Sequence, residues 1–152
     1  RADTVTGPQY ASLVATYLSR RFGPRGLKVY REVQIGKSII GKNRCVDVFC
    51  VSESGKAFAI ECKYQDSQGT ADEKIPYALE DLRALPMTGC IVYAGQGFSD
   101  GILHMLRAAP DAAYCLPTPD LLDAGGDTRE LDQIMAGNFG WWDILLGARQ
   151  PV

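Results

Sequence analysis

The sequence predicts one α/β domain spanning residues 1–152, in which a sheet is flanked by helices. Residues 7–22 repeat apolar side chains at helical spacing, and three later runs have the β-branched and aromatic content of strands. The chain has 152 residues, of which 46% are hydrophobic, so a single core can support the fold. Because it contains no apolar run of membrane length and no signal-peptide pattern, we expect a soluble protein without a membrane partner.

The elements can be ordered from their start and stop signals. Thr6 is suited to cap the first helix and Thr70 the second, and a Gly-containing turn joins the second and third strands. The predicted elements are a helix over 7–22, strands over 27–35, 44–52 and 56–64, a helix from 70 to about 85, a strand over 90–94, and helical segments over 99–108, 119–124 and 128–135.

Three charged side chains interrupt the apolar second and third strands: Asp47, Glu61 and Lys63. A carboxylate in such a strand loses hydration unless a cation or a hydrogen-bond donor compensates it. Glu61 and Lys63 are two residues apart and therefore share one face. If residues 53–55 form a three-residue loop with Gly55 in the left-handed conformation, Asp47 lies opposite Glu61. A two-residue turn would shift the register by one and separate the two carboxylates.

This pattern resembles the active site of the PD-(D/E)XK nuclease superfamily, an aspartate on one strand of a hairpin and a Glu-x-Lys on the next. Here the match is Asp47, thirteen intervening residues and then Glu61-Cys62-Lys63. Val46 stands where the name-giving motif has proline. The resemblance covers about residues 7–95 and implies a restriction-endonuclease-like core. That core is a central mixed sheet flanked by helices, in the order helix, three strands, helix, strand, here with C-terminal helical elaboration.

The resemblance also implies a chemistry for these residues. Asp47, Glu61 and the backbone carbonyl of Cys62 would bind Mg²⁺, which prefers hard oxygen ligands, and Mn²⁺ can substitute for it. Lys63 would position the attacking water or stabilise the charged phosphorane. In some superfamily nucleases the glutamine after Glu-x-Lys borders the site, so Gln65 is either an active-site residue or an ordinary loop residue.

One feature of many superfamily members is missing from the first helix, where a glutamate takes part in the metal site. This chain offers only Gln9 there, and Ala11 stands where a loose alignment would place the acid. Glu32 on the first strand can substitute if it faces the same pocket, but an exposed strand glutamate is the simpler interpretation. The number of metal ions therefore stays open.

The net charge of −2 hides an asymmetry along the chain. The first 63 residues hold eleven Lys or Arg against five Asp or Glu, and the rest hold five against thirteen. Segment 36–44, with Lys37, Lys42 and Arg44, is the best candidate for a hairpin tip that contacts DNA, although scattered basic residues on a normal surface explain the pattern equally well. Lys74 lies where a helix start can receive a phosphate, with a solvated helix face as the alternative.

Other reactive side chains favour structural interpretations. The five cysteines lack a Cys-x-x-Cys spacing and are interpreted as small buried hydrophobes of a reducing, cytoplasmic compartment. The only histidine, His104, lies in a predicted helix far in sequence from the carboxylates, so we expect it to be structural. Trp141 and Trp142 can stack bases, but adjacent tryptophans beside aliphatic residues more often close a core or an oligomer interface.

These observations together predict a Mg²⁺-dependent endonuclease that hydrolyses phosphodiester bonds of DNA, of restriction or mobile-element type. One site per chain cuts both strands only when two chains act, so a homodimer is expected. Two alternatives stay open. One is a Holliday-junction resolvase or repair nuclease with the same site. The other is a catalytically inactive relative that serves as a DNA-binding or assembly module, which the missing helix acid suggests and the intact Asp47, Glu61 and Lys63 argue against.

Overall fold

The computed structural model describes residues 5–67, 71–118 and 125–152. Its elements are α1 (Gly7–Phe22), β1 (Lys28–Lys37), β2 (Asn43–Val51), β3 (Ala57–Tyr64), α2 (Ala71–Arg83), β4 (Thr88–Ala94), α3 (Asp100–Ala108), β5 (Ala112–Tyr114), α4 (Arg129–Phe139) and α5 (Asp143–Leu146). Within the described residues the strands form one sheet in the order β1-β2-β3-β4-β5. The first three strands are antiparallel and the last three are parallel, so the sheet is mixed as predicted.

Helix α1 begins at the predicted cap. The Thr6 hydroxyl accepts a hydrogen bond from the Gln9 N–H at 3.2 Å, and the Gln9 side chain accepts one from the Thr6 N–H at 2.9 Å. This reciprocal pair satisfies two backbone donors that a helix start otherwise leaves free. Tyr10, Val14 and Leu18 are completely buried, because they face the sheet at helical spacing.

The sheet carries an apolar cluster on each face. On one face Ile60 packs in a cluster with residues of α1 and α4, and on the other Ala59 packs in a cluster with residues of α2. Side chains alternate along a strand, so Glu61 and Lys63 project on the α2 side, with Ala59. The acidic and basic groups of the third strand therefore lie on the face that α2 covers only in part.

The hairpin of β1 and β2 bends at Glu32. Among the described residues this is the one non-glycine position with positive φ, at 54°. Val29 packs in the cluster on the α1 side and Val33 in the cluster on the α2 side, although their even spacing would place them on one face of a regular strand. On β2, which pairs with β1 here, the residues just before and just after Asp47 likewise pack on opposite faces of the sheet. The bend carries the outer half of the hairpin over α2.

The turn between β2 and β3 has the predicted three-residue form. The Ser52 N–H donates to the Lys56 carbonyl and the Gly55 N–H to the Ser52 carbonyl, each at 2.9 Å. Gly55 has φ of 86°, a conformation that glycine adopts without a steric penalty. Val48 lies opposite Ile60, so the register that brings Asp47 and Glu61 together is confirmed.

The later elements differ from the predictions at their ends. The strand predicted over 90–94 begins two residues earlier, at Thr88, and the helix predicted over 128–135 continues to Phe139. The helix predicted over 99–108 is α3, capped by Ser99. Strand β5 and helix α5 were not predicted, because segments of three and four residues are too short to show a period. Thr70 as a cap and the helical segment 119–124 lie outside the described residues.

No helix within residues 5–67, 71–118 and 125–152 combines the length and the apolar character needed to cross a bilayer.

Candidate active site

The predicted acidic pair meets where β2 and β3 separate. Regular pairing of the two strands ends at Val48 opposite Ile60. Beyond that point, Asp47 Oδ2 accepts a hydrogen bond from the Cys62 N–H at 2.8 Å, and Glu61 Oε1 accepts one from the Asp47 N–H at 3.3 Å. Each carboxylate is thus held by a backbone donor on or beside the other acidic residue, and the two side chains occupy one small region.

The environment of Glu61 disfavours its charge. Burial and, to a lesser degree, the nearby Asp47 carboxylate together raise the pKa of its carboxyl from 4.5 to about 7, with Lys63 partly opposing them. A bound cation would remove this penalty, because it stabilises the ionised form of both carboxylates. The electrostatics of the pair therefore fit a positively charged ligand.

The oxygen atoms at this position suit a hard divalent cation. Asp47 and Glu61 contribute carboxylates, and the Cys62 carbonyl leaves β3 on the same edge as the N–H that bonds Asp47. Within the described part of the chain, no group of three or more His, Cys, Asp or Glu side chains converges on one point. Two carboxylates and a carbonyl fit an ion such as Mg²⁺, which binds proteins through few ligands and keeps several waters.

Lys63 lies on the same face of β3 as Glu61 and is half-buried. Its positive charge acts on the Glu61 carboxyl. Among the described residues, no carboxylate lies within salt-bridge distance of its ammonium group. The ammonium is therefore available to a water or a phosphate oxygen next to the carboxylates.

Arg31 adjoins the site. From the sequence it could be identified only as one of the basic residues in the first half of the chain. Arg31 Nε donates to the backbone carbonyl of Asp47 at 3.0 Å, and its Nη1 donates to the Ser12 hydroxyl on α1. The same guanidinium lies 3.7 Å from the Glu32 carboxylate. Arg31 thus links the first helix, the bend and the backbone of Asp47. A strand arginine reveals nothing of such partners in sequence, because they are distant along the chain.

The missing helix acid is not replaced by a neighbour from α1. The Gln9 side chain is used in the helix cap, and Ala11 is buried in the core. Glu32 lies level with Asp47 on the adjacent strand, but its side chain is 70% exposed. This exposure agrees with the simpler interpretation of Glu32, and the side chains that converge remain Asp47, Glu61 and Lys63.

Gln65 is buried between the loops that follow β3 and β4. It is 8% exposed, its Nε2 donates to the Gly97 carbonyl at 2.8 Å, and its backbone accepts from the Gly97 N–H at 2.7 Å. A Cβ on Gly95 would lie 2.2 Å from the Gln65 carbonyl oxygen, so the two loops touch. The Oε1 atom of Gln65 is buried without a partner among the described residues. These contacts assign its amide nitrogen to loop packing.

The predicted DNA-contacting residues are in different environments. Lys37 and Lys42 are exposed near the outer end of the hairpin. Arg44 is 9% exposed and forms a two-pronged ion pair with Asp81 of α2, so its guanidinium is already engaged. Lys74 is exposed on α2, whose first turn carries Asp72 and Glu73. Those acids already complement the helix dipole and disfavour a phosphate there.

The cysteines form no disulfide among the described residues. Four are buried as predicted, but Cys45 is exposed, because it alternates with the buried Arg44 and Val46 and therefore points to the opposite, uncovered face of β2. Burial raises the pKa of the Cys62 and Cys90 thiols, which disfavours a nucleophilic thiolate.

Of the other candidates, His104 lies on the exposed side of α3. Trp141 stacks on Phe22 and Phe139 with ring-centroid distances of 5.2 and 4.8 Å, so it closes the core as predicted. Trp142 is 52% exposed and does not share that role.

The mixed sheet and the hairpin-borne Asp, Glu and Lys define a restriction-endonuclease-like nuclease domain. The family model of the PD-(D/E)XK nuclease superfamily domain matches residues 6–142. The chain therefore belongs to the PD-(D/E)XK nuclease superfamily, whose members generally use divalent metal ions.

No curated protein matches the chain. Among solved structures it is similar to a protein of unknown function, AF1548, with 17% identity and a TM-score of 0.45, over 68% of this chain and 56% of that one. It is also similar to a repair endonuclease from Pyrococcus abyssi, with 17% identity and a TM-score of 0.40, over 74% of this chain and 48% of that one. The chain thus spans about half the length of these proteins.

Proposed function

We propose that this protein is a Mg²⁺-dependent DNA endonuclease in which Asp47, Glu61 and the Cys62 carbonyl hold the metal and Lys63 serves the attacking water. The observation that carries the proposal is the reciprocal placement of the two carboxylates, each bonded to a backbone N–H beside the other. Such a costly pair of charges has a clear purpose in a family that generally uses divalent ions.

Each residue of the site has a separate role in the proposed hydrolysis. A divalent ion, when bound, supplies an acidified water and neutralises charge on the phosphate. Asp47 and Glu61 fix the position of that ion, and Glu61 must lose its proton to do so, since burial keeps its carboxyl partly protonated near neutral pH. Lys63, on the same face, donates hydrogen bonds to the attacking water or to a phosphate oxygen, where negative charge develops.

The substrate and assembly are further parts of the proposal. We expect double-stranded DNA as the substrate and a restriction or mobile-element role, with two chains acting together to cut both strands. Lys37 and Lys42 at the outer hairpin supply the positive charge for phosphate contact. Arg44 is left out of this interface, because Asp81 holds it in a buried ion pair.

The test is cleavage of supercoiled plasmid and of branched DNA with Mg²⁺ or Mn²⁺. We expect Lys63→Ala and Glu61→Gln to reduce cleavage at least 100-fold, an order of magnitude typical for loss of an essential group. Lys28→Ala and Glu73→Gln, which change exposed residues of the same types, serve as matched controls. Preference for branched DNA would instead identify a junction resolvase or repair nuclease. Folded protein that binds metal and DNA but cuts neither substrate would identify an inactive binding module.

A further inference from the structure

We propose that the tip of the β1–β2 hairpin, residues 38–42, is an apolar wedge that enters a base step of duplex DNA. The inference rests on the proposed function, because it specifies how the nuclease would engage its substrate. Ile39 and Ile40 at this tip are 47% and 61% exposed. Two adjacent aliphatic side chains projecting into solvent from a narrow hairpin are costly unless they have a partner.

The local geometry makes these isoleucines unusual. The Gly41 N–H donates to the Ser38 carbonyl at 2.9 Å, and the Ser38 N–H donates to the Lys42 carbonyl at 2.7 Å. Ile39 and Ile40 are therefore the two central residues of a tight turn. Proline, glycine and short polar residues usually occupy such positions because they favour the turn conformation. Isoleucine adds nothing to the turn or to the core, and sequence choices that break a local rule tend to be functional.

The tip is braced against α2. Asp81 Oδ1 accepts from the backbone N–H of Ile39 at 3.0 Å and from Arg44 Nη2 at 2.7 Å, while Asp81 Oδ2 accepts from Arg44 Nε at 3.1 Å. One carboxylate thus fixes both the turn and the strand that follows it. A fixed tip loses little conformational entropy on binding, which suits a side chain that must separate stacked bases.

The charge around the tip favours a polyanion as the occupant. Lys37 and Lys42 flank the two isoleucines and are exposed, and residues 33–46 contain no Asp or Glu. Proteins that bend DNA insert apolar wedges such as isoleucine between base pairs while nearby lysines contact phosphates. A purely apolar partner, such as a second protein surface, would not call for these two flanking lysines.

The distance from the site limits where the wedge would act. Ile40 is seven positions before Asp47 in the chain. At about 3.4 Å per residue the backbone of Ile40 lies at most about 24 Å from that of Asp47. This length equals about seven base pairs of duplex at about 3.4 Å each. The unstacked step should therefore lie within about seven base pairs of the cleaved phosphate.

For the test, the position at which the active protein cuts a duplex is mapped first. A set of duplexes of the same sequence is then made, each with a single 2-aminopurine at a different position. The fluorescence of each duplex is measured on binding of the Lys63→Ala variant, which is used to prevent cutting. We expect fluorescence to rise at one step within about seven base pairs of the cut. Ile39→Ser/Ile40→Ser in the same background should abolish that rise and weaken binding about ten-fold. Met105→Ser, which changes another exposed apolar residue, should leave both unchanged.

Thermal unfolding establishes that each variant is folded, and the single change Ile40→Ser repeats the test at the more exposed position. Cleavage of DNA by the wild-type protein with no fluorescence rise at any step would overturn the wedge and leave the nuclease intact. A fluorescence rise that persists when the isoleucines are replaced by serine would also overturn the wedge and leave the nuclease intact. A wild-type protein that neither binds nor cuts DNA would overturn both proposals together.

Discussion

At the scale of single residues, Arg31 gives the site a support that the acidic pair lacks by itself. The backbone carbonyl of Asp47 accepts a hydrogen bond from Arg31 Nε at 3.0 Å, just where the bend leaves β1 and β2 irregular. The guanidinium also bonds Ser12, so it ties the bend to α1. Arg31 therefore positions Asp47 without needing to contact the substrate.

We predict that Arg31→Gln lowers cleavage by about ten- to 100-fold, because small misplacements of a catalytic group have effects of that size. The change should also weaken Mg²⁺ binding, which calorimetry can measure without turnover. Arg20→Gln, on the exposed side of α1, removes the same charge without touching the site. Equal losses in both variants would show that Arg31 acts only through the general electrostatic field.

A second prediction at this scale concerns Glu61 and the pH dependence of folding stability. Its pKa in the folded, metal-free protein is about 7, against an ordinary value of 4.5. At this group the folded state therefore binds more protons than the unfolded state between these values, so the contribution of Glu61 to stability is fully present below about pH 4.5 and is lost as the pH rises through 7. The expected loss is at most about 3 kcal/mol.

Urea unfolding in EDTA at several pH values measures this effect. Glu61→Gln removes the titrating group and should flatten the pH dependence over this interval. Added Mg²⁺ should recover stability most strongly at the high end, since the ion binds the deprotonated carboxylate. Parallel curves for the wild-type protein and the variant would contradict the assignment of this titration to Glu61.

At the scale of elements, the outer hairpin depends on one ion pair with α2. Arg44 and Asp81 are 9% and 17% exposed, and the pair joins the strand to the helix by two hydrogen bonds. Asp81→Ala leaves a buried guanidinium without a partner, so we predict a loss of about 3 kcal/mol in the free energy of unfolding. The double variant Arg44→Met/Asp81→Ala should recover part of that loss.

The pair between Arg83 and Asp111 provides the matched comparison. It has similar geometry, at 2.7 Å, but Arg83 is 51% exposed. Its disruption by Asp111→Ala should cost less than about 1 kcal/mol, because water screens an exposed pair. Chemical denaturation of the two single variants and the double variant measures all three values. If Asp81→Ala lowers the free energy of unfolding no more than Asp111→Ala does, the Arg44–Asp81 pair does not stabilise the outer hairpin as proposed.

At the scale of the whole molecule, the features that could be predicted from the sequence are those that depend on hydrophobic periodicity and on the residues of caps and turns. Thr6 and Gly55 signalled the first helix and the central hairpin, and the hairpin register placed Asp47 opposite Glu61. The bend at Glu32 and the partners of Arg31 were not predictable, because they arise from contacts between distant segments. The burial of Arg44 escaped prediction for the same reason, since its partner lies 37 residues away.

The last prediction concerns assembly. In the proposed mechanism each chain has one set of Asp47, Glu61 and Lys63 and would cut one strand at a time. If two chains act together, linear plasmid should appear directly from supercoiled plasmid at protein concentrations where sedimentation detects a dimer, and nicked circles should dominate at lower concentrations. Mixing wild-type protein with an excess of Lys63→Ala should then convert linear product into nicked circles, because mixed dimers cut one strand. Linear product that is unaffected by the inactive chain would show that a single chain cuts both strands in succession.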